Sequence, residues 1–464
     1  MRRSLDLGKD RVSRLILSLA LPTMLAQFIN VLYSIVDRMF IGHIAEVGDL
    51  ALAGVGVCGP IVTLLSSFAY LVCQGGAPLM AMKMGAGRQE DASQLLSNCF
   101  RMLLTLAVVL STTFFLLRKH LLWWFGASEE TFPYALTYLS IYVLGTAFAL
   151  MATGLNAFLI CQGHSGLGMG TVILGALLNV VLDPVFIFGL DMGVAGAAWA
   201  TLLSQAASCF FAIFCLRRKS MPVPLRWGRF NWAMCKKVVT FGVAPFLTIA
   251  SDSVLLIALN TVLQRVGGPG EGDVLLTCAA IVQAYMLLIT MPMGGITLGC
   301  QSIVSYNYGA GRPDRVTKAL KGILTLCVSF SVVMLAITWL ASPTFVKLFT
   351  ASGVIQARSV TFIKIYTCFI IPLAGQYVIV DQSTALGLVK QALAFSVLRK
   401  SLFLGFTLSL PLIFTAPAAF LAEPLCDLIS FLISGTVFLR TVPRFLMGRA
   451  GLNVDEHIDR RNDT

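Results

Sequence analysis

Charge is what this chain has least of. Only 12% of its 464 residues are Asp, Glu, Lys or Arg, about half the share of a soluble domain. Such a chain, 57% hydrophobic, does not make a water-facing surface and belongs in a bilayer. Histidine is scarce: His43, His120, His164 and His457 are the full set, and no two are spaced as paired metal ligands. No G-x-x-x-x-G-K-[ST] loop occurs, which argues against ATP hydrolysis, and no Ser/Lys dyad stands out within the apolar stretches. The 12 cysteines include no CxxC pair. Most fall in apolar runs (Cys73, Cys161, Cys209, Cys278, Cys327) and read as small core residues, neither a metal site nor a disulfide framework. No enzyme and no cofactor is expected.

Long apolar runs are what the chain does have. A helix needs about 20 mostly apolar residues to cross the hydrocarbon. Twelve stretches qualify, at 15–41, 50–74, 93–117, 132–158, 166–190, 192–216, 238–262, 274–298, 318–340, 356–385, 393–413 and 416–440. The start, MRRSLDLGKDRVSRLILSLALPTML, is too long in its apolar part for a cleavable signal and reads as a lead into a retained first helix. With the N-terminus inside, 27 of the 34 Lys and Arg fall in inner segments. That bias places both termini on the cytoplasmic side. It also accounts for the net charge of +12 without a nucleic-acid partner. The longest polar interruption, 217–237, lies at the midpoint. It is expected to rest on the inner surface, with Trp227 and Trp232 as interfacial anchors.

The two halves repeat. MGAGRQEDASQLL begins at Met84 and YGAGRPDRVTKAL at Tyr308, an offset of 224, and Pro22 answers Pro245 at an offset of 223. Six helices followed by six more in the same orientation predict two lobes related by a pseudo-two-fold axis along the membrane normal, a plan that suits alternating-access transport. The expected fold is all-α: an N-lobe over 1–216, a linker over 217–237, a C-lobe over 238–445 and a polar cytoplasmic tail over 446–464.

Two carboxylates sit in the apolar runs of the first half: Asp37 in FINVLYSIVDRMFIGH and Asp183 in ILGALLNVVLDPVFIFGL. An acid at mid-membrane costs roughly 3 kcal/mol on insertion scales. A chain that keeps two is expected to use them for an ion or proton path. Asn179 lies one turn before Asp183, while Thr201 and Gln205 lie one turn apart in helix six. Helices one and five run in the same direction, so the two acids come to similar depth. Carboxylate, carboxamide and hydroxyl oxygens suit Na⁺ or a proton better than a transition metal. Two close carboxylates cannot both ionise cheaply, so one is expected to hold a proton or a cation. The neighbouring Arg38 points about 100° away on the helix and makes a poor partner for Asp37. In the second half, Asp252 and Asp381 are candidates to meet substrate, and Glu423 and Asp427 lie one turn apart at positions answering Thr201 and Gln205. Tyr33, Tyr138 and Tyr142 can line a cavity.

The segments IVDRMFIGH (35–43), LLNVVLDPVFIFGLDMGVAGAAWAT (177–201), CQSIVSYNYGAGRPDRV (300–316) and the paired GAGR loops resemble those of the multidrug and toxic compound extrusion (MATE) transporters, most closely the MepA-like branch. The resemblance covers about 10–445. It implies a monomeric, two-lobed, twelve-helix antiporter that expels amphipathic organic cations in exchange for Na⁺ or H⁺. It also implies a cation site at Asp37, Asn179, Asp183 and Thr201, with Tyr33, Tyr138 and Asn156 at polar positions nearby. In the sodium-coupled branch typified by NorM, a helix-seven Glu acts in coupling, and Asp252 lies near its place. That branch's helix-ten Asp does not map cleanly onto Asp381. The alternative within the same superfamily is a flippase for lipid-linked precursors, which would want a cationic cavity.

Overall fold

The computed structural model describes residues 5–268 and 270–447; most of the expected tail, 448–464, with His457, lies outside them. Among the described residues every regular element is a helix. The first lobe comprises α1 (Val12–Gly42), α2 (Gly48–Gly85), α3 (Gln89–Trp124), α4 (Phe132–Cys161), α5 (Ser165–Pro184) and α6 (Gly193–Arg217). The second comprises α7 (Trp232–Gly267), α8 (Glu271–Gly309), α9 (Pro313–Lys347), α10 (Gly353–Tyr366), α11 (Ile370–Ala385), α12 (Val389–Ile413) and α13 (Ala422–Met447). Eleven helical stretches are long and apolar enough to span a bilayer, and α10 with α11 makes twelve. An even number of spans puts the start of α1 and the end of α13 on one side, here called the terminal face.

Proline explains where the helices depart from the expected spans. The stretch 356–385, expected to be one helix, is broken between Tyr366 and Ile370 and bent by 50°. Pro372 cannot donate to the carbonyl one turn earlier, and its ring crowds that group. Pro184 ends α5, and the chain continues in a π-helical turn, Val185–Gly189. The last span opens with a 3₁₀ turn, Ala416–Leu421, containing Pro417. Pro22 leaves the Ser18 carbonyl without its helical donor, and the Ser165 hydroxyl supplies one at 2.8 Å.

The lobes meet through α1 against α8 and α2 against α7. These contacts are made at backbone distance. A Cβ at Gly75 would stand 2.0 Å from the Val238 carbonyl oxygen, and one at Gly242 would stand 1.8 Å from that of Leu71. Thr23 Oγ1 donates to the Gly295 carbonyl at 2.7 Å. At the terminal face the two GAGR loops complete a symmetric crossing. Gly85 packs on the Tyr306 carbonyl and Gly309 on the Met82 carbonyl, each at 2.0 Å from the position of a Cβ. Both pairs are 224 residues apart, so the repeat places its own glycines on the pseudo-two-fold axis. Gly87 and Gly311, and also Gly163 and Gly387, share that offset and carry positive φ angles.

Between the lobes, residues 218–231 cross the first lobe's terminal face. Trp227 is exposed and packs edge-on against Phe100, with Arg101 over its ring at 5.7 Å. Trp232, at the start of α7, is exposed as well.

Candidate functional site

The N-lobe site is built where α1, α4, α5 and α6 converge. Asp37 stands one turn beyond Tyr33 on α1. Asn179 and Asp183 are one turn apart on α5, and the Asn179 amide donates to Asp183 Oδ1 at 3.2 Å. Asp183 is fully buried, and the Asp37 carboxyl is its charged neighbour. Tyr138 of α4 lies beside Thr201 of α6. Arg38 is exposed, and neither acid is in an ion pair among the described residues. Asp37 Oδ1, Asn179 Oδ1 and Asp183 Oδ2 are all buried, yet none accepts a hydrogen bond. Orphaned oxygens of this kind are what a bare cation or an added proton would satisfy.

A cavity of about 270 Å³ runs from this site toward the terminal face. That is near the lower end of the range for small-ligand pockets, about 300 Å³. Its wall carries Tyr33, Asn156, Asn179 and Thr201, with Met291, Gln301 and Ser302 contributed by α8. Asp37, Asp183 and Tyr138 are not on the wall, and Asp183 is joined to it through the Asn179 amide. Gln27, Asn30 and Gln74 also line it, and Asn30 donates to Gln27 at 3.1 Å. The sequence reading passed over these three, although a signal existed. Gln27, Asn30, Tyr33 and Asp37 recur at three- and four-residue steps, a polar stripe along one face of an otherwise apolar helix. Among the described residues no Lys or Arg is on the cavity wall.

The second-lobe acids are placed differently. Asp252 and Asp381, expected in the substrate cavity, are not on its wall. Asp252 is ion-paired with Lys400 of α12, and Asp381 accepts a hydrogen bond from Thr297 of α8. Glu423 and Asp427 both pair with Arg399, whose Nε lies 2.8 Å from Asp427. Arg399 and Lys400 sit well inside α12. The C-lobe thus carries a cation, Arg399, among its acids, whereas the N-lobe brings two carboxylates together without one.

Arg399→Gln should leave two buried carboxylates uncompensated and lower stability by about 3–5 kcal/mol. Thermal unfolding in detergent reads this, and adding Glu423→Gln and Asp427→Asn should recover most of the loss.

Two six-span lobes, a cavity between helices and acids held inside the membrane define a transporter of the MATE type. A family model described as MatE matches residues 22–185 and, a second time, 247–410. The chain belongs to that family, the MATE transporters; it is a multi-pass membrane transporter, not an enzyme. Among relatives, multidrug export protein MepA of Staphylococcus aureus (strain N315) is 24% identical over 92% of this chain and 94% of its own length. Probable multidrug resistance protein YpnP of Bacillus subtilis (strain 168) is 26% identical over 68% of this chain and 69% of its own. A solved multidrug resistance MATE family transporter of the MOP superfamily, in an outward-facing conformation, superposes with a TM-score of 0.88 at 20% identity, covering 96% of this chain and all of its own.

Proposed function

We propose that this chain is a monomeric multidrug antiporter of a bacterial plasma membrane, exporting amphipathic organic cations in exchange for H⁺ or Na⁺. The observation that carries the reading is the buried Asp37/Asp183 pair, without a cationic partner, at the end of a cavity walled by neutral polar groups. The relatives' names, multidrug export and multidrug resistance proteins, support the substrate class. The terminal face is cytoplasmic by the positive-inside bias. The chain then divides as the repeat suggests, into an N-lobe, the 217–237 linker and a C-lobe.

The cycle follows from electrostatics. With the pair carrying net negative charge, the lobe favours a cationic guest in the cavity. A proton or Na⁺ from outside, held by Asp37, Asp183, Asn179 and Thr201, cancels that charge. The attraction for the guest falls, and the packing of α1 against α5 tightens. By linkage each cation weakens the binding of the other by the same factor, so loading one favours release of the other. Pro22 makes α1 the element that bends. A wall of carboxamides, hydroxyls and tyrosine faces accepts many cationic shapes and offers no cationic side chain to a pyrophosphate, which disfavours the flippase alternative.

Purified protein in liposomes tests this. A fluorescent lipophilic cation should move against an imposed pH gradient or an imposed Na⁺ gradient, each applied separately. Movement under neither gradient, with protein that is folded and inserted, overturns coupled antiport.

A further inference from the structure

Two short segments cross the terminal face, and each is tied to the wrong lobe. Residues 5–10 lead directly into α1. They form a self-capped turn, in which Asp6 Oδ1 accepts from the Gly8 and Lys9 amides at 2.9 and 3.1 Å and Asp10 Oδ2 accepts from the Asp6 amide at 3.0 Å. This turn is gripped by the second lobe. Asn307 Nδ2 donates to the Leu7 carbonyl at 3.1 Å, and Arg312 Nη1 donates to that of Gly8 at 2.6 Å. Arg315 Nη2 reaches the carbonyls of Leu7 and Asp10 at 3.2 and 2.7 Å, while its Nε is held by Asn307 Oδ1 at 2.8 Å. Leu7 is buried. On its other side Leu5 and Leu7 abut Gly163, in the first-lobe loop that follows the cavity residue Cys161.

The pseudo-symmetric segment, which leads into α7, is gripped by the first lobe. The Gly228 amide donates to Ser97 Oγ at 2.9 Å, the Asn231 amide to Asn98 Oδ1 at 2.9 Å, and Arg101 to the Gly228 carbonyl. The repeat also shows how the first grip arose. At the place of Arg315, the first GAGR loop has Asp91, which pairs with Lys83 at 3.5 Å and Arg88 at 3.7 Å. The second loop has Arg315 there, and its guanidinium turns to the backbone of the crossing turn.

We propose that these two straps are the terminal-face gate of the transport cycle, and that Asn307, Arg312 and Arg315 are its gripping residues. A strap fixed to one lobe and bonded to the other must let go before the lobes can part on that side. The acceptors are strap main-chain carbonyls, so the gripping side chains set the strength of the latch. The planar fork of Arg315 spreads its donors over three acceptors in a fixed geometry that the compact ammonium of a lysine does not reproduce. This inference rests on alternating access between the lobes but not on which ion drives it.

The test therefore reads gate position without transport. Ser302→Cys places a thiol on the cavity wall, and a membrane-impermeant maleimide is applied to inside-out and right-side-out vesicles. Labelling of the native cysteines is subtracted using the parent protein. Adding Arg312→Gln and Arg315→Gln should raise labelling from the terminal face at least roughly tenfold, a population shift worth a single charge-assisted hydrogen bond. Arg315→Lys in place of Arg315→Gln should not restore the parent rate. Unchanged labelling overturns the proposal. A second arm is independent of how the glutamine variants fold. Gly8→Cys with Tyr306→Cys, joined by a short reducible thiol cross-linker, should arrest transport, and reduction should restore it. Full transport by the cross-linked protein overturns the proposal, whereas failure to respond to either ion gradient bears only on the coupling.

Discussion

Asp183→Asn is expected to bring efflux of a fluorescent cation from cells to near background, a loss of roughly a hundredfold or more at matched expression. The substitution keeps the side chain's shape, and the Asn179 amide still finds an oxygen to bond at 3.2 Å. It removes one of the two charges that the exchanged cations compete for, and a charged partner contributes about 1.5–3 kcal/mol to such a site. What makes the result diagnostic is stability. An unpaired buried carboxylate is a burden on the fold. Asp183→Asn should therefore unfold at the same temperature as the parent or a higher one while transport disappears. A purely structural aspartate would show the opposite, a lower melting temperature with proportionate loss of activity. Asp381→Asn is the control. Thr297 holds that carboxylate, so its loss is expected to be milder for transport.

Gly309→Ala is expected to reduce the yield of folded protein sharply, and Gly85→Ala to do the same. The added methyl at either place would lie 2.0 Å from a backbone carbonyl oxygen of the other lobe. A carbonyl inside a helix cannot rotate away as a side-chain tip can, so α2 and α8 must separate by more than 1 Å to restore ordinary contact. Overpacking of this kind costs about 3 kcal/mol, and here it acts where the two lobes close. Gly56→Ala in α2 has open space around it and should be neutral. Detergent melting curves and size-exclusion profiles of the three variants decide the matter. Wild-type behaviour of Gly309→Ala would mean that the crossing of the loops is looser than the structure has it.

The spans and the repeat could be read from residue order because lipid leaves a chain few options. Every backbone polar group must bond within its own segment, so a helix of about 20 apolar residues announces itself. Asp37 and Asp183 were legible for the same reason, since an acid in such a run stands out against its neighbours. Asp252, Asp381, Glu423 and Asp427 send the same signal and mean something else. Their partners, Lys400, Thr297 and Arg399, come from other helices and from sequence separations of 24 to 148 residues. Nothing local distinguishes a neutralised acid from a working one. The break before Pro372 had its proline in view, but whether a proline bends or breaks a helix depends on what packs around it.

By itself, the order of residues determined that this protein spans a membrane with two repeated lobes and carries acids in the first. Those features follow from local costs: hydrocarbon against water, charge against lipid. Only the tertiary structure decided which acids lack a cation, where the cavity runs and which side chains hold the straps. Each of these is a contact between distant segments, and its free energy exists only once the helices have packed.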